Sequence, residues 1–505
     1  MSLRLPSLTE PASTGLSQYT EGSNSVATPV PVRPSPLPER DVRPAVDTIW
    51  FDLSVRLILF QHISGITRTI ERLYWHIRPN RELDVRYCVV LPGKGFGEVD
   101  PEWLAAALAG QSNKKHEKEI SAENLVSPSI PDLPALTNKE KKKRSRFGFV
   151  PYPVRHGLRS WKSNLNNWWR EPEAPPPPPP SHPFQPYPVG AVKRLVELGQ
   201  RDLFLSLGGQ WIVAGTDTTL LQQKRAANFQ HASLIYDMIP TYAPHMSPNA
   251  LSDSFFTQVT HNQLLSSDLI FTISEYSKKE ILQYCAEKLI PPPPVEVFYL
   301  GSDIPGLETA RPAPPAPSTA PFILTVGSVE IRKNQFFLYY VWRALLAKYG
   351  PEKTPKLVVA GKLGWLGNFF FEVAERDPVV KKHIMIRPDP TDQELNWLYR
   401  HCQFTVYPST YEGWGLPVEE SLVYGKLCIT TTASSLPEVG GDFVDYVPPE
   451  SLEQLTAAVE KAMDPEYRAG RERHIREKFR PHTWDRAGTQ VKALLNRYFD
   501  IRKPE

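Results

Sequence analysis

A chain of 505 residues with 41% hydrophobic and 11% aromatic side chains can bury two or three ordinary cores, which excludes a wholly disordered protein. A formal net charge of only +3 excludes a polyelectrolyte built over its whole surface for nucleic acid or membrane. The 52 prolines are near twice the usual share of about 5%, so much of the excess belongs to segments that do not fold.

The four cysteines (Cys88, Cys285, Cys402 and Cys428) form no CxxC and no metal-ligand spacing, as expected of reduced core thiols in a cytosolic compartment. The opening "MSLRLPSLTEPASTG" lacks the apolar run of a signal peptide. No apolar stretch approaches the roughly 20 residues that span a bilayer. A soluble, cytoplasmic chain is the expectation.

Residues 1–44, rich in Pro, Ser and Thr without apolar periodicity, read as a disordered tail. Order begins with a strand in "TIWFDLSVRLI", a helix in "GITRTIERLYWHI" and a second strand, "VRYCVVL". Strand, helix, strand predicts a right-handed parallel unit. From 111 to 187 the pattern dissolves into an insertion with "KEKKKRSR", "HGLRSWKSNLNNWWR" and six consecutive prolines. Strands return in "DLFLSLGG", "ASLIYDMIP" and "DLIFTIS", followed by a helix in "SEYSKKEILQYCAEKL". The first folded unit is thus an α/β domain over 45–310.

A linker at 311–321, "RPAPPAPSTAP", precedes a second α/β domain over 322–498, with a short tail at 499–505. Here strands "FILTVGS", "KLVVAGK", "HIMIRP", "FTVYPS" and "LCITT" alternate with helices, and a basic helix over about 483–498 closes the unit. Two doubly wound, Rossmann-like domains in tandem place a ligand cleft between their strand C-terminal edges.

Three loops carry the chemistry. In "YPSTYEGWGLPVEESLVYGKLC" two glycines free the backbone, Pro417 suits a first helical turn and Gly425 its end. Such a loop offers N–H groups to an anionic or hydroxyl-rich ligand. Glu420, expected in the first helical turn, suits a vicinal diol such as a ribose, and Glu412 a second polyol. The plainer reading is a stabilising helix acid and a solvent-facing loop acid. In "VGSVEIRKNQ" Arg332 and Lys333 precede a helix that Asn334 is placed to cap, and in "VVAGKLGWL" Lys362 follows Gly361. Cations at two strand ends match a diphosphate. Either loop alone would read as ordinary surface charge.

Together these segments resemble the retaining glycosyltransferases of family 4, which have the two-domain GT-B fold. "VGSVEIRKN" is similar to the strand end before that family's diphosphate lysine, "GKLGWL" to its next phosphate loop, and "YEGWGLPVEESLVYG" to its E-x7-E signature at Glu412 and Glu420. "SSLPEVGGD" resembles the stretch that follows. The resemblance implies that Lys333 and Lys362, with Arg332, hold the leaving diphosphate. It implies further that Glu420 holds the nucleotide ribose and Glu412 faces the transferred sugar. Backbone N–H groups from Trp414, Gly415, Leu416 and Val418 would contact the sugar hydroxyls.

In the first domain "ISGITRTIERL" resembles the family's glycine loop, so Gly65 would approach the diphosphate. "LIYDMIP" resembles a segment that often reads histidine–aspartate, with Tyr236 in the histidine's place and Asp237 retained as the candidate for orienting acceptor or sugar. His62 and His245 read as ordinary histidines. "SEYSKK" resembles the turn near the base or acceptor, with Ser274 and Lys278 as candidates.

The implied reaction is retaining hexosyl transfer, the acceptor hydroxyl entering on the leaving-group side, without a metal. The donor is a nucleotide-diphosphate sugar, GDP-mannose by the "E-x-R-K-N" arrangement or a UDP-sugar. The acceptor is a glycan or lipid-linked oligosaccharide in polysaccharide assembly. Residues 139–170, with ten Lys/Arg, one Glu and Trp161, Trp168 and Trp169, suit either an anionic membrane surface or a solvated loop. Nucleic acid is not expected as a partner. The rival readings are a non-catalytic scaffold of the same fold and a sugar-nucleotide epimerase.

Overall fold

The computed structural model describes residues 43–58, 65–78, 83–108, 187–246, 250–302, 321–364 and 367–503. The expectations for the tail, the insertion and the linker fall, except at their edges, outside these residues, as does His62.

Two large sheets, one mixed and one all parallel, organise the described chain, and their parallel strands are largely apolar and buried. The first has eight strands, in the order Val192–Val196, Gly95–Val99, Val85–Leu91, Thr48–Asp52, Asp202–Ser206, Gln230–Leu234, Leu269–Thr272 and Val295–Val297. Its members from Val85–Leu91 onward are parallel, while at one edge Gly95–Val99 pairs antiparallel with both Val85–Leu91 and Val192–Val196. Gly95–Val99 and Val192–Val196 stand on either side of the insertion in sequence, and the α/β alternation does not announce them.

The second sheet has six strands, all parallel, in the order Ile384–Arg387, Lys356–Ala360, Phe322–Val326, Thr405–Tyr407, Cys428–Thr431 and Asp445–Val447. Strand order reverses beside Phe322–Val326, whose neighbours are Lys356–Ala360 and Thr405–Tyr407. Loops leaving a reversal point diverge and open a crevice at the strand C-termini. The three segments singled out above leave these three strands. Two of them touch at Gly361, where an added Cβ would lie 2.0 Å from the Gly327 carbonyl oxygen, so only glycine fits.

The chain end corrects the expected second domain of 322–498 and its tail. The Trp484–Tyr498 helix packs against Gly65–His76 of the first lobe. A Cβ on Gly488 would come within 2.4 Å of the His76 ring, so the glycine lets this helix lie against Gly65–His76. Gln490 donates to the Val297 carbonyl at 2.9 Å, and Asp500–Ile501 pairs in parallel with Ala45–Val46. One apolar cluster, including Phe298, Tyr407, Trp414 and Trp484, runs from lobe to lobe. All four cysteines are free and buried.

Candidate functional site

The loop after Thr405–Tyr407 folds back over the strand ends and buries Glu412. Four donors converge on its carboxylate. Oε1 accepts from Lys333 Nζ at 2.8 Å, Ser409 Oγ at 2.7 Å and the Tyr407 hydroxyl at 2.7 Å. Oε2 pairs with Arg332 Nη1 at 2.6 Å. Burial alone would raise the Glu412 pKa, but Arg332 and Lys333 outweigh it and hold the group at about 2. Glu412 is therefore ionised at neutral pH and a poor base.

Arg332 also pairs with Glu330 at 2.8 Å and donates to the Tyr411 carbonyl at 2.6 Å. Lys333 also donates to the Tyr407 hydroxyl, and burial, aided by Arg332, pulls its pKa down against the attraction of Glu412. These cations sit in a short turn, Ile331–Lys333, and Asn334 takes a left-handed conformation at φ 54°. The expected side-chain cap from Asn334 is not made, because its amide reaches the Pro449 carbonyl at 3.3 Å instead. Lys362 differs from Lys333, with its side chain 55% exposed and 3.4 Å from Asp389.

Glu420 lies one residue beyond its expected place. The helix runs Leu416–Val423, so Glu419 occupies the first turn and Glu420 opens the second. Oε2 of Glu420 accepts from the Tyr399 hydroxyl at 2.8 Å, and Oε1 from Arg68 Nη1 of the first lobe at 3.3 Å. Glu419 instead accepts from the Trp414 indole at 3.0 Å and from the His482 backbone at 3.2 Å. Trp414 is buried against Tyr299 and His482. Among the four backbone positions expected to meet sugar hydroxyls, Val418 is corrected, since its N–H already closes the helical turn on Gly415 at 3.0 Å. Trp414, Gly415 and Leu416 stand at the mouth of that turn.

Across the cleft, Asp237 is aligned by the Ile239 N–H on Oδ1 at 3.0 Å. A Cβ on Gly413 would come within 3.0 Å of the Asp237 Cβ and of the Tyr236 carbonyl, so the two lobes meet here through a glycine. Burial raises the Asp237 pKa, with Arg332 and Lys333 opposing. Tyr236, in the place of the expected histidine, is buried and donates its hydroxyl to the Leu207 carbonyl at 3.0 Å. His245 is exposed, and Ser274 caps the Glu275–Glu287 helix through the Ser277 N–H at 3.0 Å. Gly65 opens the Gly65–His76 helix.

Several residues at this seam escaped the sequence. Glu438, in the "SSLPEVGGD" stretch, crosses the cleft and accepts the N–H groups of Glu275 and Tyr276, both at 2.7 Å. Ser434 accepts the Glu412 N–H at 2.7 Å, and Ser435 donates to the carbonyls of Glu412 and Trp414 at 2.9 and 2.8 Å. That stretch therefore ties the Glu412 loop to the opposite lobe. Tyr407 and Ser409 lie at the end of a strand already identified, and alternation at a reversal point was the available signal.

Glu280, buried in the Glu275–Glu287 helix, accepts from the Tyr411 hydroxyl of the facing loop. Burial lifts its pKa from 4.5 to about 7, with Asp237 adding to the rise. The folded chain thus retains a proton that the unfolded chain loses above pH 4.5. Its contribution to stability is full below that pH, declines as pH rises and is lost above about 7. Glu280→Gln should therefore lose less thermal stability than the wild type between pH 5.5 and 8. Equal losses in paired melting curves would remove Glu280 from the titration.

Among the described residues, no three or more His, Cys, Asp or Glu side chains gather as a metal site, and no helix is long and apolar enough to cross a membrane.

Residues 308–480 match the family model described as glycosyl transferases group 1. Over 213 residues the chain is 28% identical to O-antigen chain mannosyltransferase B of Escherichia coli, a match covering 39% of this chain and 52% of that protein. It is 26% identical over 229 residues to the serotype-specific mannosyltransferase WbdA of Escherichia coli, covering 43% of this chain and 27% of the relative. The chain thus spans about half or less of the length of these curated relatives. A solved structure titled "Trehalose-6-phosphate from E. coli bound with UDP-2-fluoro glucose" superposes with a TM-score of 0.51 at 11% identity, covering 89% of this chain and 99% of that one. The fold is GT-B.

Proposed function

We propose that this chain, whose residues 308–480 match the model of the group 1 glycosyl transferases, is a retaining hexosyltransferase that moves mannose from a nucleotide-diphosphate sugar to a growing glycan. The observation that carries this reading is the buried Arg332–Lys333–Glu412 cluster at the strand reversal, facing Asp237 across the cleft. The names of the mannosyltransferase relatives support mannose, and the O-antigen relative supports a lipid-linked or polysaccharide acceptor.

In this reading, Lys333 and Arg332 meet the two negative charges of the departing diphosphate, with Lys362 closing from the exposed side. Fixed charges in a water-poor cleft stabilise a developing anion far better than solvent does. The bond from the anomeric carbon to the phosphate oxygen breaks, and the acceptor oxygen bonds to that carbon on the same face. The acceptor proton passes to the departing phosphate. Glu412, ionised and held by four donors, orients the two cations and tempers their charge. Glu420 takes the ribose, and Asp237 faces the acceptor or sugar hydroxyls. No step calls for a metal.

The test is nucleotide release across a panel of GDP- and UDP-sugars, with and without added glycan. Acceptor-dependent release with GDP-mannose is the expected result. Release without change of sugar attachment, or none with any donor, would favour the epimerase or scaffold readings, which no observation here supports.

We further propose that the protein works at the cytoplasmic face of an anionic membrane, reached through residues 139–170. Each basic residue near such a surface is worth about 1 kcal/mol before salt screening. The intact chain should co-sediment with anionic vesicles at low salt and be released as salt rises. Deleting residues 112–186 should end the binding while sparing transfer to a short soluble acceptor. Binding that persists in the deletion variant would place the contact on another surface.

A further inference from the structure

The structure assigns a further cation, from the first lobe, to the donor cleft: we propose that Arg68 is a nucleotide-sensing residue that competes with the ribose for Glu420 and then serves the diphosphate. This rests on the reading of Glu420 as the ribose carboxylate.

Arg68 belongs to the first lobe and Glu420 to the second, 352 residues apart in sequence, yet Nη1 of one lies 3.3 Å from Oε1 of the other. Tyr399 already holds Oε2. A ribose diol that docks on Oε1 therefore competes with the guanidinium for that oxygen. Where the guanidinium goes follows from the helix that carries it. Gly65–His76 begins at Gly65, and Arg68 stands three residues on, on the same helical face. The helix N-terminus and Arg68 thus present positive potential from one side of the cleft.

The opposite wall offers Lys333, Arg332 and Lys362. Lys333 and Arg332 are already bonded to Glu412, which offsets part of their charge. A nucleoside diphosphate brings more negative charge than those residues alone would neutralise. A released guanidinium, with its planar fork of donors, is the fitting counter-charge for phosphate oxygens. Among the described residues Glu420 is the one hydrogen-bond and ion-pair partner of Arg68, so release breaks no other polar contact of its side chain. Arg68 therefore opposes a ligand that has ribose but no phosphate, and favours one that has both.

This yields a crossed signature in Arg68→Ala. The probes are guanosine and GDP, with uridine and UDP in parallel, titrated into the full chain by calorimetry or ligand-observed NMR. Nucleoside affinity should rise about threefold, because Glu420 is freed, while diphosphate affinity should fall about tenfold with a charged hydrogen bond lost. Arg68→Lys should restore much of the diphosphate affinity as a point charge. Glu420→Ala separates the premise from the proposal: weaker nucleoside binding in that variant upholds the ribose reading, and unchanged binding removes it. If Arg68→Ala lowers both affinities alike, Arg68 only holds the lobes together and the proposal fails. Diphosphate affinity that is unchanged or improved in Arg68→Ala also overturns it. The Arg68 side chain is 32% exposed, so the variant is expected to fold, and its melting temperature is the check.

Discussion

Lys333→Ala should lose most sugar transfer, about 10²–10³-fold in kcat, while the chain stays folded. Its ammonium lies in a buried cluster where a diphosphate oxygen would compete with Glu412 for the same proton donors. A charge that meets the leaving group only as negative charge develops lowers the barrier, so its loss appears in kcat more than in KM. Folding is protected because Glu412 keeps Arg332, Tyr407 and Ser409 as partners after the change. Lys362→Ala should be milder, roughly tenfold, since that side chain is more than half exposed and a solvated charge acts through a higher dielectric. Steady-state kinetics beside a melting curve decide the matter. Near-normal turnover in a well-folded Lys333→Ala protein would mean that the diphosphate binds elsewhere.

The two glutamates of the E-x7-E spacing should part company just as clearly. Glu420→Ala is expected to weaken GDP or UDP binding about tenfold, the scale of a charge-assisted hydrogen bond to the ribose. Glu412→Gln is expected to do the reverse to nucleotide binding. It removes the counter-charge shared by Arg332 and Lys333, so a diphosphate should bind as well as before or better. Turnover of the nucleotide sugar should nevertheless drop by about 10²-fold, because the two cations lose the anchor that sets their geometry. Breaking a buried ion pair costs about 3–5 kcal/mol, so Glu412→Gln should also melt earlier and must be assayed below its transition. Calorimetry with the nucleotide alone distinguishes the two. Parallel losses of nucleotide affinity would show that the carboxylates share one task.

Local patterns in the sequence determined a good deal of this protein. The run "FILTV" read as a strand, as it is, and its exit through Gly327 marked a loop at a strand's C-terminal end. "KLVVAG" and "FTVYPS" repeat that form, and each ends at a residue that now lines the candidate cleft. These features are legible because side-chain alternation, glycine freedom and proline's fixed φ act over a few residues. The pairing of charges is another kind of information. Lys333 meets Glu412 across 79 residues, Glu438 caps a helix 162 and 163 residues before it, and Arg68 reaches Glu420 across the lobes. No local rule specifies such contacts, because they depend on strand order and on how closely two backbones approach. Gly361 against Gly327 and Gly488 against His76 set two of those approaches, and each glycine looks ordinary in the sequence. The return of the last helix to the first lobe was hidden for the same reason. Its amphipathic pattern required a partner surface, but only the packing of Gly488 on the Gly65–His76 helix decided which lobe supplied it.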